Sequence, residues 1–527
     1  MNIWPFVKRQ KVLIFGVGSG GVSFFDRNKN RCKVIGFLDN GKCKHGSLVR
    51  GIPVHAPKDI NLLVYERIII ASDYYREIYD QLVNDIGIDE GKIDFFFDER
   101  YQHHRWYSKT LKYFNFLLME LVCKDVFLIS ALSFKMYKYL SGEKLSRLTL
   151  RWLDELDENK IHCFRPTEPS MVYGPNFING SCQNKKIALP EVSLYRFRDA
   201  EVKSVSRTLK LSDGKIILER VPTAETKNAD YRSSKVAYHG NVYALVRDTE
   251  EITDILAGIL INGFSETNYY HLLLEVLSQL QFIEEIPDVF SDYPILLPAY
   301  CQKIPAVAKF IESVLSDKDI IYLHTTECYR VADLLYINMP NALVPNLKLN
   351  SKSDVDNSFV RLESLQYIRK VAYELCSDRG LIDLPKRIFL GRKPGLRSYN
   401  QTQLVNALSK YHFTCIYLED LDFCQQVELM ANADLIVGPT GAAWANIIFA
   451  KPDAKALCWM AEEWGDLSCF SNLSSTLNID MQYLTYTAGT SDSRELYSRK
   501  YSIPVEEVVN WVELKVNATL SRLKSDS

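Results

Sequence analysis

The chain lacks the marks of several protein classes. Its 527 residues contain no Cys-x-x-Cys pair, and the 12 cysteines stand at no zinc-type spacing with histidine, which excludes a zinc-ribbon or zinc-finger reading. Apolar neighbours, as around Cys123 and Cys458, predict buried, reduced thiols and a reducing, cytoplasmic setting. Neither sign of charge is in excess. The 63 Lys and Arg face 65 Asp and Glu, a net charge of −2, which excludes a dedicated nucleic-acid binder. Long uncharged apolar runs are missing too. The most apolar stretch, Phe114–Phe134, is interrupted by Glu120, Lys124 and Asp125, whereas a bilayer span needs about 20 apolar residues in a row. The opening residues carry no small-residue cleavage site behind their short apolar run, so no secretory signal is expected. Arg105–Tyr113 interleaves bases and aromatics and reads either as a solvated helix face or as a peripheral membrane contact. There is no low-complexity tract and no short repeat.

What is present is ordinary globular material, 47% hydrophobic and 24% charged, enough for about three domains. Lys11–Val17, Cys32–Asn40, Arg67–Ser72 and Lys92–Phe97 read as strands, with helices near Gly21–Arg27 and from about residue 74 to 86. Such alternation predicts a parallel sheet covered on both faces. Residues 101–165 read as a helical connector. A β-rich stretch follows, with Lys185–Phe197 and Lys215–Val221 as strands and Asp213-Gly214 as a hairpin turn. From about residue 250 the alternation returns. Ile295–Tyr300, Leu334–Pro340, Arg387–Arg392, Thr414–Glu419, Leu435–Thr440 and Lys455–Met460 read as strands, and Asn268–Ile283, Ser358–Arg379, Gln401–Tyr411 and Asp422–Asn432 as helices. The class is α/β, with expected domains at 1–100, 101–165, 166–380 and 381–527.

Three groups of residues carry chemistry. In the first, Gly16-Val17-Gly18-Ser19-Gly20-Gly21 fits G-x-G-x-x-G between a strand and a helix, and Asp39 ends the next strand. Gly16 permits the tight turn, Gly18 an approach to pyrophosphate, and Gly21 close helix packing, while Asp39 suits ribose hydroxyls. Two readings stand: a site for NAD or another nucleotide, or glycines that only shape the sheet edge. No Tyr-x-x-x-Lys follows in this domain. The pattern through GFLDN, GIPVHAPKDI and IIIAS resembles the small nucleotide-binding domains on bacterial polysaccharide enzymes.

In the second group, Arg392 sits just past a strand, with Arg397 and Asn400 in the loop behind it. A strand-end arginine points into the ligand crevice of such sheets, and its fork suits a diphosphate. Downstream, Gly438-Pro439-Thr440-Gly441-Ala442-Ala443 leads from a strand into a helix that contains Asn446, an anion cradle without a P-loop lysine. The alternative is close helix packing alone. In the third group, Asn268-Tyr-Tyr-His271-x-x-x-Glu275 places His271 and Glu275 one turn apart, as a general base pair or a plain surface interaction.

These segments, in this order, resemble glycosyltransferase family 61, with Phe423-x-x-Gln426 as a further match, over about residues 170–475. The turn carries Thr440 where the family has histidine, and Glu275 where aspartate is common. The resemblance implies a GT-B pair of α/β domains behind the Rossmann-like one. It implies an inverting transfer from a nucleotide-sugar to a glycan or lipid-linked acceptor of a bacterial surface polysaccharide, with no obligatory metal. It assigns Glu275 and His271 as base and partner, Asn268 to the acceptor side, and Arg392, Arg397, Asn400, Gln426, Gly438, Thr440, Gly441, Ala442 and Asn446 to the donor. Asp420-Leu421-Asp422, the one metal-type acid pair, reads as a turn. The expected setting is the cytoplasm, at or near the inner membrane or a polysaccharide assembly complex. The rival readings are an NAD-linked sugar-modifying enzyme run by the first domain, and a non-catalytic scaffold.

Overall fold

The structure, a computed structural model, describes residues 10–29, 32–41, 44–72, 75–96, 117, 119–123, 127–141, 144–180, 182–248, 251–265, 268–325, 327–348, 351–377, 384–393, 397–490, 496 and 499–525. The basic-aromatic stretch Arg105–Tyr113 lies outside them. The chain divides into two compact units, residues 1–119 with 133–143, and residues 120–132 with 144–527.

In the first unit, Lys11–Phe15, Lys33–Leu38, Ile52–His55, Arg67–Ile70 and Ile93–Phe95 are parallel strands, and Leu48–Val49 adds an antiparallel edge. The five parallel strands, numbered along the chain, run 3-2-1-4-5 across the sheet, the order of a Rossmann-type half. Helix Ser19–Asn28 follows the glycine turn. Apolar side chains bury on both faces, Leu13 and Phe15 in one cluster and Val12 and Ile14 in the other, as a helix-covered parallel sheet requires.

The second unit holds two larger sheets. One has 11 strands and joins the β-rich stretch to the first part of the α/β stretch. Its parallel part contains Thr253–Leu260 between Tyr329–Ile337 and Ile295–Pro298. The helical reading of the connector fails at its end: Leu145–Trp152 and Lys160–Arg165 are strands of this sheet. Leu145, Leu148 and Trp152 fit helical spacing, but Leu148, Leu150 and Trp152 also share one face of a strand, and they pack in one cluster. Lys185–Phe197 is two strands, Asn184–Leu189 and Val192–Val202, because Pro190 has no N–H to give a ladder.

The other sheet has five parallel strands, Arg387–Leu390, Thr414–Ile416, Leu435–Pro439, Lys455–Ala461 and Asp480–Tyr486. In chain order they stand 2-1-3-4-5. The connections therefore leave Arg387–Leu390 and Leu435–Pro439 in opposite directions, and the carboxyl ends of these two strands mark the topological switch point where sheets of this kind take their ligands. Strand Asp480–Tyr486 and helix Val505–Ser525 were not foreseen. The thiol expectation needs two corrections: Cys163 and Cys182 are exposed, and Cys376 and Cys424 form a disulfide between helices Leu362–Cys376 and Phe423–Asn432. Burial does push the Cys458 thiol up to about 12.

Candidate active site

The expected helix over 268–283 is four short pieces, α at Tyr269–His271, π at Leu272–Val276, α at Leu277–Gln279 and 3₁₀ at Leu280–Glu285. Single π turns cluster at functional sites. Asn268 caps the first piece, its side chain accepting the Tyr270 N–H at 3.0 Å. His271 Nδ1 lies 2.7 Å from Glu275 Oε1. Glu275 is 0% exposed and its Oε2 accepts the Phe264 N–H at 2.9 Å. Each carboxylate oxygen thus has a partner, and the side chain is closed to solvent. His271 is 7% exposed, and its Nε2 has no hydrogen-bond partner among the described residues. A carboxylate on Nδ1 favours the tautomer with the proton there and the lone pair on Nε2.

At the switch point of the five-stranded sheet, Arg392 follows the first strand and Thr440 the third. Arg392 Nη2 donates to the Thr440 carbonyl at 2.6 Å, and Arg397 Nη1 reaches the same oxygen at 3.4 Å. Arg397 has a left-handed backbone, φ 57°. Gln401 is a residue the sequence reading missed. It clamps Arg392 by both backbone groups, Oε1 accepting from N–H at 2.8 Å and Nε2 donating to the carbonyl at 3.1 Å. Gly441 stands against the guanidiniums: an added Cβ would lie 3.2 Å from Arg392 Nη2 and 3.9 Å from Arg397 Nη2. Two guanidiniums thus converge on one carbonyl at the strand ends, a planar-fork arrangement of the kind that suits a diphosphate.

The other residues expected at the donor side make contacts within the chain. The Thr440 hydroxyl donates to the Trp459 carbonyl at 2.9 Å. Asn400 pairs with both backbone groups of Ile503, at 3.0 and 2.9 Å. Gln426 donates to Leu418 and Leu421 carbonyls at 3.0 and 3.1 Å. Gly438 lets strands pack, since a Cβ would come within 2.8 Å of the Leu390 Cβ. Ala442 begins a 3₁₀ run, Ala442–Phe449, rather than an α-helix. Asp422 caps the helix behind it with a capping box, and Asp420 pairs with Lys393 at 2.5 Å. Among the described residues no three His, Cys, Asp or Glu side chains gather as a metal-holding group.

A side chain links the dyad's segment to the segment after the glycine-rich turn. Tyr269 OH donates to Asn446 Oδ1 at 3.1 Å, and the short helix Tyr269–His271 packs on the Ala442–Phe449 run. Beside the arginines, the rings of Tyr399, Tyr501 and Tyr486 stack in that order, with centroids 5.2 and 4.0 Å apart.

The first unit keeps its own turn. Gly16 has φ 108°, and a Cβ on Gly21 would fall 1.9 Å from the Gly16 carbonyl oxygen, so both positions demand glycine. A Cβ on Gly18 would meet nothing within 4 Å. Asp39 is occupied: Lys44 Nζ sits 3.0 Å from both its oxygens, and the Gly41 and Val17 N–H groups donate to it at 2.8 and 3.3 Å. Burial works to raise its carboxyl, and these partners outweigh burial and hold it below the usual value.

Residues 269–457 match the family described as Glycosyltransferase 61, and this segment holds the His271–Glu275 pair, both arginines and the glycine-rich turn. That segment is thus similar to glycosyltransferase family 61, which supports a glycosyltransferase. Residues 8–94 match the family described as C2185-like, N-terminal. Among solved structures, UDP-D-quinovosamine 4-dehydrogenase from Vibrio fischeri is 22% identical over 16% of this chain and 75% of that one, with a TM-score of 0.14, and carries no argument. No curated protein matches. No helix among the described residues is long and apolar enough to cross a membrane.

Proposed function

We propose that the second unit transfers a sugar, with inversion, from a nucleotide-sugar to a hydroxyl of a glycan or lipid-linked acceptor. The observation that carries this is the Tyr269–Asn446 hydrogen bond, which ties a histidine with a free Nε2 to the turn where two arginines converge. The family match supports it. In the reaction the acceptor oxygen bonds to the anomeric carbon as the bond from that carbon to the diphosphate breaks on the opposite face. His271 Nε2 takes the acceptor proton, and Glu275 stabilises the imidazolium that results. Arg392 and Arg397, with backbone N–H groups after Thr440, receive the charge of the departing nucleoside diphosphate. This role for Glu275 differs from the direct base first expected, because its oxygens are already engaged. No step in this scheme requires a metal. The surface-polysaccharide context, a cytoplasmic location and peripheral attachment to the inner membrane complete the reading and rest on the resemblance alone.

A transfer assay with a panel of nucleotide-sugars and oligosaccharide acceptors tests it. His271→Ala should cut kcat by about 10²-fold or more while donor affinity stays. A His271→Ala enzyme with wild-type kcat removes the proposed base. A second reading concerns the first unit. The open face above Gly18 suits the close approach of NAD or another nucleotide. Such binding requires Lys44 to leave Asp39 or to bind the ligand itself, and calorimetry with NAD and nucleotide-sugars on Lys44→Ala tests this.

A further inference from the structure

Arg207 lies outside the matched domain, between strands Val192–Val202 and Thr208–Lys210, and is among the largest fully buried side chains of the chain. Its Nε donates to Glu219 Oε2 at 2.7 Å and its Nη2 to the Ile337 carbonyl at 2.9 Å. Its Nη1 donates to both oxygens of Asn262, the carbonyl at 3.0 Å and Oδ1 at 2.8 Å. Glu219 is completed by the Met339 N–H at 2.7 Å and the Tyr336 hydroxyl at 2.8 Å. Burying two charges is costly before pairing, and an apolar pair of similar volume is often as stable. Stability alone therefore does not account for this pair, and its geometry does.

What Arg207 holds is the loop behind the His271–Glu275 dyad. The Asn262 carbonyl also accepts Gln279 Nε2 at 2.7 Å, and the same nitrogen donates to the Glu275 carbonyl at 2.6 Å. Asn262 Nδ2 fixes the other side by donating to the Ser206 carbonyl at 3.1 Å. Two residues on, the Phe264 N–H holds Glu275 Oε2. Between them Gly263 leaves no room, since a Cβ would stand 2.9 Å from that oxygen. A shift of this loop therefore moves the carboxylate that sets the histidine.

We propose that Arg207, acting through Asn262 and Gln279, is a positioning residue for the dyad: it pins the Asn262–Phe264 loop so that Glu275 keeps the proton on His271 Nδ1 and leaves Nε2 free. The proposal rests on the role given above to His271. Two full-length variants test it, Gln279→Met, which keeps the volume and loses the amide, and Arg207→Lys. Each should lower kcat by about tenfold or more, as loss of an orienting partner does, with donor KM within about twofold. In each, the ¹⁵N spectrum of labelled histidine should show His271 moving from one Nδ1–H tautomer to a mixture, with His271→Asn identifying the signal. If both variants keep wild-type kcat and an unchanged His271 tautomer, the proposal is overturned whatever their melting temperatures. If Arg207→Lys does not fold, Gln279→Met decides. If the wild-type chain transfers no sugar, the transferase reading fails, and the tautomer signal still decides the positioning role.

Discussion

Gly441 offers a clean perturbation of the anion site, because its backbone is extended, φ 171°, and any residue adopts that conformation. Gly441→Ala therefore adds no backbone strain, and the whole effect comes from the new methyl group. Its carbon would stand 3.2 Å from Arg392 Nη2, 3.9 Å from Arg397 Nη2 and 4.0 Å from the Pro439 carbonyl oxygen. Ordinary contact begins at about 3.5 Å, so the Arg392 guanidinium retreats by roughly 0.3 Å, at the expense of its 2.6 Å bond to Thr440. The moving atoms are the far end of a flexible side chain, and the folding cost should stay under about 1 kcal/mol. A charge-assisted hydrogen bond to a diphosphate contributes about 1.5–3 kcal/mol. Losing one such bond should weaken nucleotide-sugar binding by roughly 10- to 100-fold. Isothermal calorimetry reads the affinity and a urea melt reads the stability. Unchanged affinity in a folded Gly441→Ala protein would refute the assignment of this turn to the diphosphate.

Three further outcomes follow from other parts of the molecule. Gly21→Ala sets a methyl 1.9 Å from a backbone oxygen and should destabilise the first unit by about 3 kcal/mol, seen as an earlier transition by limited proteolysis, with sugar transfer by the second unit retained. His239 is buried, its Nε2 accepts the Tyr231 N–H at 3.0 Å, and burial lowers it from 6.5 to about 4. The unfolded chain takes up that proton from pH 6.5 downward and the folded one does not until about pH 4. Stability should therefore fall across that window, by up to about 3 kcal/mol. Urea melts of His239→Gln beside wild type should show that slope removed. The Cys376–Cys424 bond closes a sequence separation of 48, worth up to about 4 kcal/mol in chain entropy. Reduction should expose two more thiols to titration and lower the melting temperature, and no change in thiol count would contradict the bond.

The sequence made the parallel sheets legible because their strands, such as Leu435–Pro439, are continuous apolar runs followed by glycine-rich turns. Arg392 and the Thr440–Gly441 turn were legible for the same reason: a strand end in a doubly wound sheet has only one place to point. The strand Leu145–Trp152 was not, since its leucines satisfy helical and strand spacing together. The duties of Asn400, Gln426 and Thr440 were hidden as well. Each bonds backbone groups whose positions depend on tertiary packing, and residue type alone does not separate a ligand contact from a structural brace. The Tyr269–Asn446 bond and the Cys376–Cys424 pair join residues far apart in sequence, and no spacing rule announces them. Glu275 was found by its spacing from His271, but its buried, doubly bonded state, which decides its role, is a property of the fold.

The central claim is that the donor nucleotide sits where Arg392 and Arg397 meet Thr440. The most direct test is calorimetric titration of the full chain with UDP-, GDP- and CMP-sugars and NAD, wild type beside Arg392→Ala. One sugar nucleotide should bind the wild type, and Arg392→Ala should weaken that binding by about 100-fold or abolish it. Binding that persists unchanged in Arg392→Ala would contradict the account and move the nucleotide to the turn at Gly16–Asp39.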